Sequence, residues 1–164
     1  MTNTPSSVSH AVSEIPPRMA WVDLIPKVFK DLVRLDTSAR AGLDHTLLEL
    51  VKIRASQINH CAFCLDMHTK DALASGESIE RIVQLSAWGE SRHFYTEKEL
   101  AALELTEAVT VLTDGFVPDG VYNQAAAVFE EDELAHLIAS IVVINAWNRF
   151  GVATRKTPDV AALG

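Results

Sequence analysis

The sequence predicts an all-α protein, a compact bundle of about seven helices. Three observations predict it. Apolar residues recur at three- and four-residue intervals along most of the chain, the period of a helix with one buried face. Ala, Leu and Glu, all strong helix formers, abound. Only 7 Gly and 6 Pro occur among 164 residues, too few for the tight turns of an all-β chain. A chain of this length builds one core and one domain.

The elements follow in order. Residues 1–18 are polar and rich in Ser, Thr and Pro, and read as a flexible N-terminal arm that orders against a partner subunit. Residues 19–164 form the helical domain. Trp21, Leu24, Ile25, Val28, Phe29, Leu32 and Leu35 predict a helix from about Met19 to Leu35, with Pro26 near its start, where a helix tolerates proline. Leu47, Leu50, Val51, Ile53 and Ile58 predict a second helix over Asp44 to Ile58. Asn59 and His60 break it, and a third helix begins near Cys61 and runs to Ala74, with Gly76 placed to end it. Ser78 caps a short fourth helix through Leu85. Thr96 followed by Glu99 reads as a capping box opening a helix to about Leu112, ended by Asp114-Gly115. Pro118-Asp119 starts another through Phe129. The last, Glu131 to Phe150, is apolar around much of its circumference and is expected at the centre of the domain or in a subunit contact. No solenoid repeat is present.

Charge narrows the function. With 14 basic and 22 acidic residues the net charge is −8, which repels a phosphate backbone and argues against nucleic-acid binding. There is no basic amphipathic stretch for a membrane surface, and no apolar run reaches the roughly 18 residues of a span. The N-terminal arm lacks the basic flank and apolar stretch of a secretory signal, so the expected location is the cytoplasm. Both of the 2 cysteines lie in one Cys-x-x-Cys. A reducing compartment argues against a structural disulfide and leaves redox chemistry or metal binding.

The segment from Glu49 to His68 carries the chemistry. On one helix at about 100° per residue, Cys61, Cys64 and His68 fall within about 60° of one another. His68 is one turn beyond Cys64, whereas Cys61 and His68 are about 10 Å apart along the axis. The spacing therefore pairs the imidazole with Cys64. A thiol attacks a peroxide or a disulfide only as thiolate, and both a helix N-terminus and a neighbouring base favour that form. A carboxylate would orient the imidazole and stabilise its charged form, and Glu49 is the candidate. The second cysteine then condenses with a sulfenic acid to give a disulfide. Two other readings remain open. The cysteines are small apolar core residues, or they bind zinc with His68 and with Glu49 or water as fourth ligand. No second Cys or His pair accompanies them, as structural zinc sites usually require, and no resident metal or cofactor is expected.

Glu49, eleven intervening residues, then Cys61, Cys64 and His68 reproduce in every spacing the motif of the AhpD-like core of the carboxymuconolactone decarboxylase superfamily, which this chain resembles over roughly Ala20 to Pro158. The runs Cys61 to His68, Ala101 to Thr110 and Ile144 to Phe150 are similar to that branch too. Phe63 stands where AhpD has a histidine between its cysteines. The resemblance implies an all-α fold assembling as trimers or hexamers, and reduction of small organic hydroperoxides at the expense of a dithiol protein. By that resemblance Cys64 forms the sulfenic acid, Cys61 supplies a proton and then resolves it, and Glu49 and His68 form the proton relay. The decarboxylases and lactonases of the superfamily lack the cysteine pair. The alternative function is a non-enzymatic redox-sensing or stress-response module that uses the same pair.

The remaining histidines, His10, His45, His60, His93 and His136, carry weaker cases: His60, next to Cys61, is a minor candidate for the entrance of the site, and His93 falls in a structural or interface loop. Trp88, Trp147 and Phe150 read as core or subunit contacts. Asn145, Asn148 and Arg149 read as polar bridges between helices or subunits.

Overall fold

Pro26 divides what the periodicity reads as one helix. The computed structural model of the chain, which describes residues 15–158, has a short α1 (Trp21–Leu24) and a longer α2 (Pro26–Ala39). Between them Ile25 lies at φ −132°, ψ 59°. A proline ring disfavours the αR region for the residue before it, so the helix stops at Ile25 and restarts with Pro26 at its first position. There are accordingly eight α-helices among the described residues rather than seven, and no strand. Of the expected N-terminal arm, residues 1–14 lie outside the described residues. Arg18, at its inner end, is bonded to the last helix: its N–H donates to the Thr154 carbonyl (2.8 Å) and its guanidinium to that of Ala153 (3.1 Å).

The other elements are α3 (His45–Ile58), α4 (Ala62–Ala74), α5 (Ile79–Gln84), α6 (Glu97–Thr110), α7 (Asp119–Ala126) and α8 (Glu131–Thr154). Short 3₁₀ turns at Leu85–Ala87 and Arg92–Phe94 lie between α5 and α6. The start signals act as the sequence predicts. The Asp44 carboxylate accepts from Leu47 N–H, the Ser78 hydroxyl accepts from Arg81 N–H, and Thr96 and Glu99 close both halves of the capping box. Gly76, at φ 92°, ends α4 in the left-handed region that only glycine enters at no steric cost. The last helix runs one turn further than expected, past Phe150 and Gly151 to Thr154.

Two clusters of buried side chains meet on α3. Leu47 and Val51 pack with Leu105, Phe129, Leu137 and Ile141. Leu50 and Ile53 pack with Ile82, Leu85, Trp88 and Leu103. Every residue from Leu47 to Ile53 is therefore buried, Glu49 and Lys52 included. Polar groups in such a helix need partners inside the protein, and that requirement builds the site described below. The apolar α8, long enough by length and composition to cross a membrane, has half of its apolar window buried within the domain. It carries the fully enclosed Asn148 and packs against α2, α3, α4, α6 and α7, as expected of a central helix.

Candidate active site

The turn between α3 and α4 puts the two cysteines at a helix N-terminus. His60 takes φ 55°, and Cys61 N–H donates back to the Ser56 carbonyl (3.0 Å), an αL closure of α3. Cys61 is then the N-cap of α4, and Cys64 lies in its first turn. The two form a disulfide with their Cα atoms 5.3 Å apart. His60 serves this turn and does not line the cavity described below, so it is not part of the site entrance: a left-handed residue is what the reversal needs, and its own side chain is exposed.

A polar network pins this turn to α8. Asn59 Nδ2 donates to Oδ1 of Asn145 (2.9 Å) and of Asn148 (3.0 Å). Asn148 Nδ2 donates to the Ser56 hydroxyl, Asn145 Nδ2 to that of Thr110, and Arg149 to Asn145 Oδ1. The asparagines of the last helix bridge helices, as the sequence indicates. Behind the disulfide lies Gly151. A Cβ there would stand 2.8 Å from Cys61 Sγ and 3.8 Å from Cys64 Sγ, so α8 approaches the sulfurs as closely as it does because residue 151 has no side chain.

All four residues predicted to carry the chemistry come together. Glu49 is 4% exposed, His68 6%, Cys64 3% and Cys61 1%. His68 Nδ1 lies 2.8 Å from Glu49 Oε2, and Lys52 Nζ donates to Glu49 Oε1 at 3.4 Å. Burial pushes the Glu49 carboxyl toward its neutral form. The hydrogen bond and charge of His68, with those of Lys52, outweigh it and hold the pKa below the ordinary 4.5. An ionised carboxylate only accepts, so Nδ1–H is the donor and Nε2 is the nitrogen left to take a proton. Glu49 is a buried carboxylate that pairs with Lys52, while Arg54 on the same helix pairs with Glu107.

A cavity of about 410 Å³ opens on this group. Cys64, His68, Glu49 and Lys52 line it, whereas Cys61 lies behind its wall. Part of its lining is aromatic. Trp21 stacks on Phe150 with centroids 4.0 Å apart, and Phe29 meets both Trp21 (5.8 Å) and Trp147 (5.7 Å). Trp147 and Phe150 are thus cavity walls, not merely core, while Trp88 is core as expected and donates to Glu107. Phe63, at the position where AhpD has histidine, also lines the cavity, and the Lys156 ammonium sits 3.6 Å from its ring centroid.

Sequence reasoning missed Lys52, His45, Gly151 and this aromatic wall. For two of them a signal was present: His45, Glu49 and Lys52 fall at i, i+4 and i+7 of one helix, hence on one face, and all three line the cavity. His93 packs on Phe94, and His136 Nδ1 donates to the Ala39 carbonyl, both away from the site. With both thiols in the disulfide, the Cys-Cys-His ligand set is not offered in this state. The donor atoms that do converge, within 4.8 Å, belong to Glu49, His68 and Asp71, and the Lys52 ammonium beside Glu49 opposes a cation there.

Residues 26–108 match the carboxymuconolactone decarboxylase family. The uncharacterized protein YdfG of Bacillus subtilis is 39% identical over 137 residues, which cover 83% of this chain and 92% of that protein. The uncharacterized protein YnjA of Escherichia coli is 32% identical over 125 residues, 76% of this chain and 65% of its own. A crystal structure from Agrobacterium tumefaciens superposes with a TM-score of 0.85 at 36% identity, over 88% of this chain and 99% of that one. It is described as a protein of unknown function and a candidate AhpD antioxidant-defence protein. Family match, identity and shared fold agree: the chain belongs to the carboxymuconolactone decarboxylase family, in its AhpD-like branch.

Proposed function

We propose that the protein is a thiol-dependent reductase of organic hydroperoxides. One observation carries the reading: a buried carboxylate–imidazole pair shares a cavity with Cys64, whose disulfide partner Cys61 lies behind the wall. The antioxidant-defence description of the Agrobacterium relative points the same way. His68 takes the Cys64 proton, and Glu49 stabilises the imidazolium. The thiolate attacks the terminal peroxide oxygen; the S–O bond forms, the O–O bond breaks, and sulfur is oxidised to the sulfenic acid. The departing alkoxide takes the Cys61 proton. Cys61 thiolate then attacks Cys64 Sγ, forming the disulfide and releasing hydroxide, which the imidazolium protonates to water. An external dithiol protein reduces the disulfide by thiol exchange and closes the cycle.

The proposal includes self-association, in the trimer or hexamer that the resemblance implies. Leu24, Ile25, Val28 and Leu35 are exposed along α1 and α2, an apolar stripe of the kind that subunit contacts cover.

Sulfenic-acid trapping in cysteine variants tests the mechanism. Cys64→Ser abolishes both trapping and turnover, and Cys61→Ser stops turnover while the sulfenic acid accumulates. Normal peroxide turnover by Cys64→Ser would refute the assignment. A reversible disulfide with no turnover in the unmodified protein would favour the redox-sensing module instead.

A further inference from the structure

Lys52 is a charge the mechanism above does not use. It sits at the centre of α3, 5% exposed, with its side chain lining the cavity. An ammonium carries three donors. Among the described residues its one hydrogen bond is to Glu49 Oε1, at 3.4 Å, near the outer limit for such a bond, and the other Glu49 oxygen is engaged by His68 at 2.8 Å. A buried ammonium with so little compensation is costly unless other oxygens reach it. The space beside it is the cavity, which the ring cluster of Trp21, Phe29, Trp147 and Phe150 also lines. A molecule with an apolar body and one oxygen-bearing end fits both at once.

We propose that Lys52 is the oxygen-binding group of this cavity: its ammonium donates to the peroxide oxygen that leaves as alkoxide, while the apolar body of the substrate rests on the four rings. This rests on the hydroperoxide reading and adds to it a catalytic residue. When Cys64 attacks the terminal oxygen, negative charge develops on the inner oxygen as the O–O bond breaks. A buried ammonium held beside that oxygen stabilises the charge as it develops. The electron count is that of the step above; Lys52 keeps its proton, and the alkoxide is still protonated by Cys61.

Two measurements on the full-length protein test this, with Lys52→Met (similar length, no charge) and Lys52→Arg (charge kept). The first needs no turnover: calorimetric binding of cumyl alcohol, the product of cumene hydroperoxide, to the disulfide form. Lys52→Met is expected to weaken binding roughly tenfold or more, the loss of a charge-assisted hydrogen bond, and Lys52→Arg to restore most of it. The second is single-turnover oxidation of the reduced protein. Lys52→Met is expected to slow tert-butyl and cumene hydroperoxides by on the order of 100-fold. Peracetic acid, whose carboxylate leaving group needs little help, is slowed by only a few-fold. The pH profile of Cys64 alkylation by iodoacetamide moves little, because His68 still holds the other Glu49 oxygen.

Failure to bind cumyl alcohol, or equal binding by Lys52→Met, overturns the proposal. So does equal slowing of all three peroxides together with a shifted alkylation profile, since Lys52 would then act only through Glu49 and the thiolate. Lysine-dependent binding in a protein that consumes no peroxide sinks the hydroperoxide reading instead, and leaves Lys52 as the ligand-binding group of a cavity with another use.

Discussion

Gly151→Ala places a methyl group where α8 backs the disulfide, and two terms of opposite sign decide its effect. In an isolated helix the substitution stabilises by about 1 kcal/mol. Here the new Cβ would stand 2.8 Å from Cys61 Sγ, against an ordinary separation of about 3.5–4.0 Å between such atoms. Cys61 is almost fully enclosed, and its turn is tied to α8 through Asn59, Asn145 and Asn148, so the movement falls on α8 or on the turn itself. Overpacking of this kind costs about 1–3 kcal/mol. The net expectation for the disulfide form is a loss of roughly 0–2 kcal/mol, or at most about 4–8 °C in Tm for a domain of this size. In the dithiol form the Cys61 sulfur is free to rotate away, and the helix-propensity gain survives. The variant disulfide is therefore easier to reduce, by about 30 mV for each 1.4 kcal/mol of difference. Thermal melts of both redox forms and a titration against a dithiol buffer read these quantities. A variant whose disulfide form is stabilised by the full propensity term, with an unchanged reduction midpoint, would show that α8 does not hold the sulfurs.

Three further variants probe the same geometry. Glu49 titrates below 4.5 in the folded protein, so just below that pH the unfolded chain binds more protons than the folded one. The stabilisation from Glu49 is complete above 4.5 and is lost as pH falls through the lowered folded value; urea midpoints between about pH 3 and 6 will decline on the acid side, and Glu49→Gln will flatten that decline. Glu49→Gln also slows peroxide turnover by roughly 100-fold or more, the usual worth of a general base's partner in a relay. Asn148→Ala removes the donor to the Ser56 hydroxyl and one of the two acceptors of Asn59, which keeps Asn145, and costs about 1–3 kcal/mol by urea unfolding; a loss of a few tenths would mean the network is not holding the turn. His60→Gly removes the strain of a left-handed non-glycine residue and leaves stability unchanged or raised by up to about 1 kcal/mol, with turnover intact. A large loss of turnover would return His60 to the site.

What could be seen in the sequence was what depends on local spacing. Cys61, Cys64 and His68 share a face by helical arithmetic alone, and the caps at Asp44, Ser78 and Thr96 are side chains bonding to backbone three residues away. The break at Ile25 was equally local, but the apolar period runs unbroken through Pro26 and hid the restriction on the residue before it. Lys52 was legible in spacing but not in burial. Whether a lysine three residues after a glutamate is solvated or enclosed depends on α4, α6 and α8 closing over α3. The aromatic wall joins Trp21 and Phe29 to Trp147 and Phe150, from opposite ends of the chain, and no periodicity records that meeting. Gly151 carried no signal, because a glycine inside an apolar helix looks the same whether or not a sulfur lies against it.

Whether Cys61 and Cys64 reduce peroxide is read by a thiol count on reduced protein before and after one equivalent of cumene hydroperoxide, with peroxide consumption followed in parallel. Both of the 2 cysteine thiols are expected to disappear for each peroxide consumed, and a dithiol to restore them. Thiols that persist while the peroxide remains untouched would contradict that role.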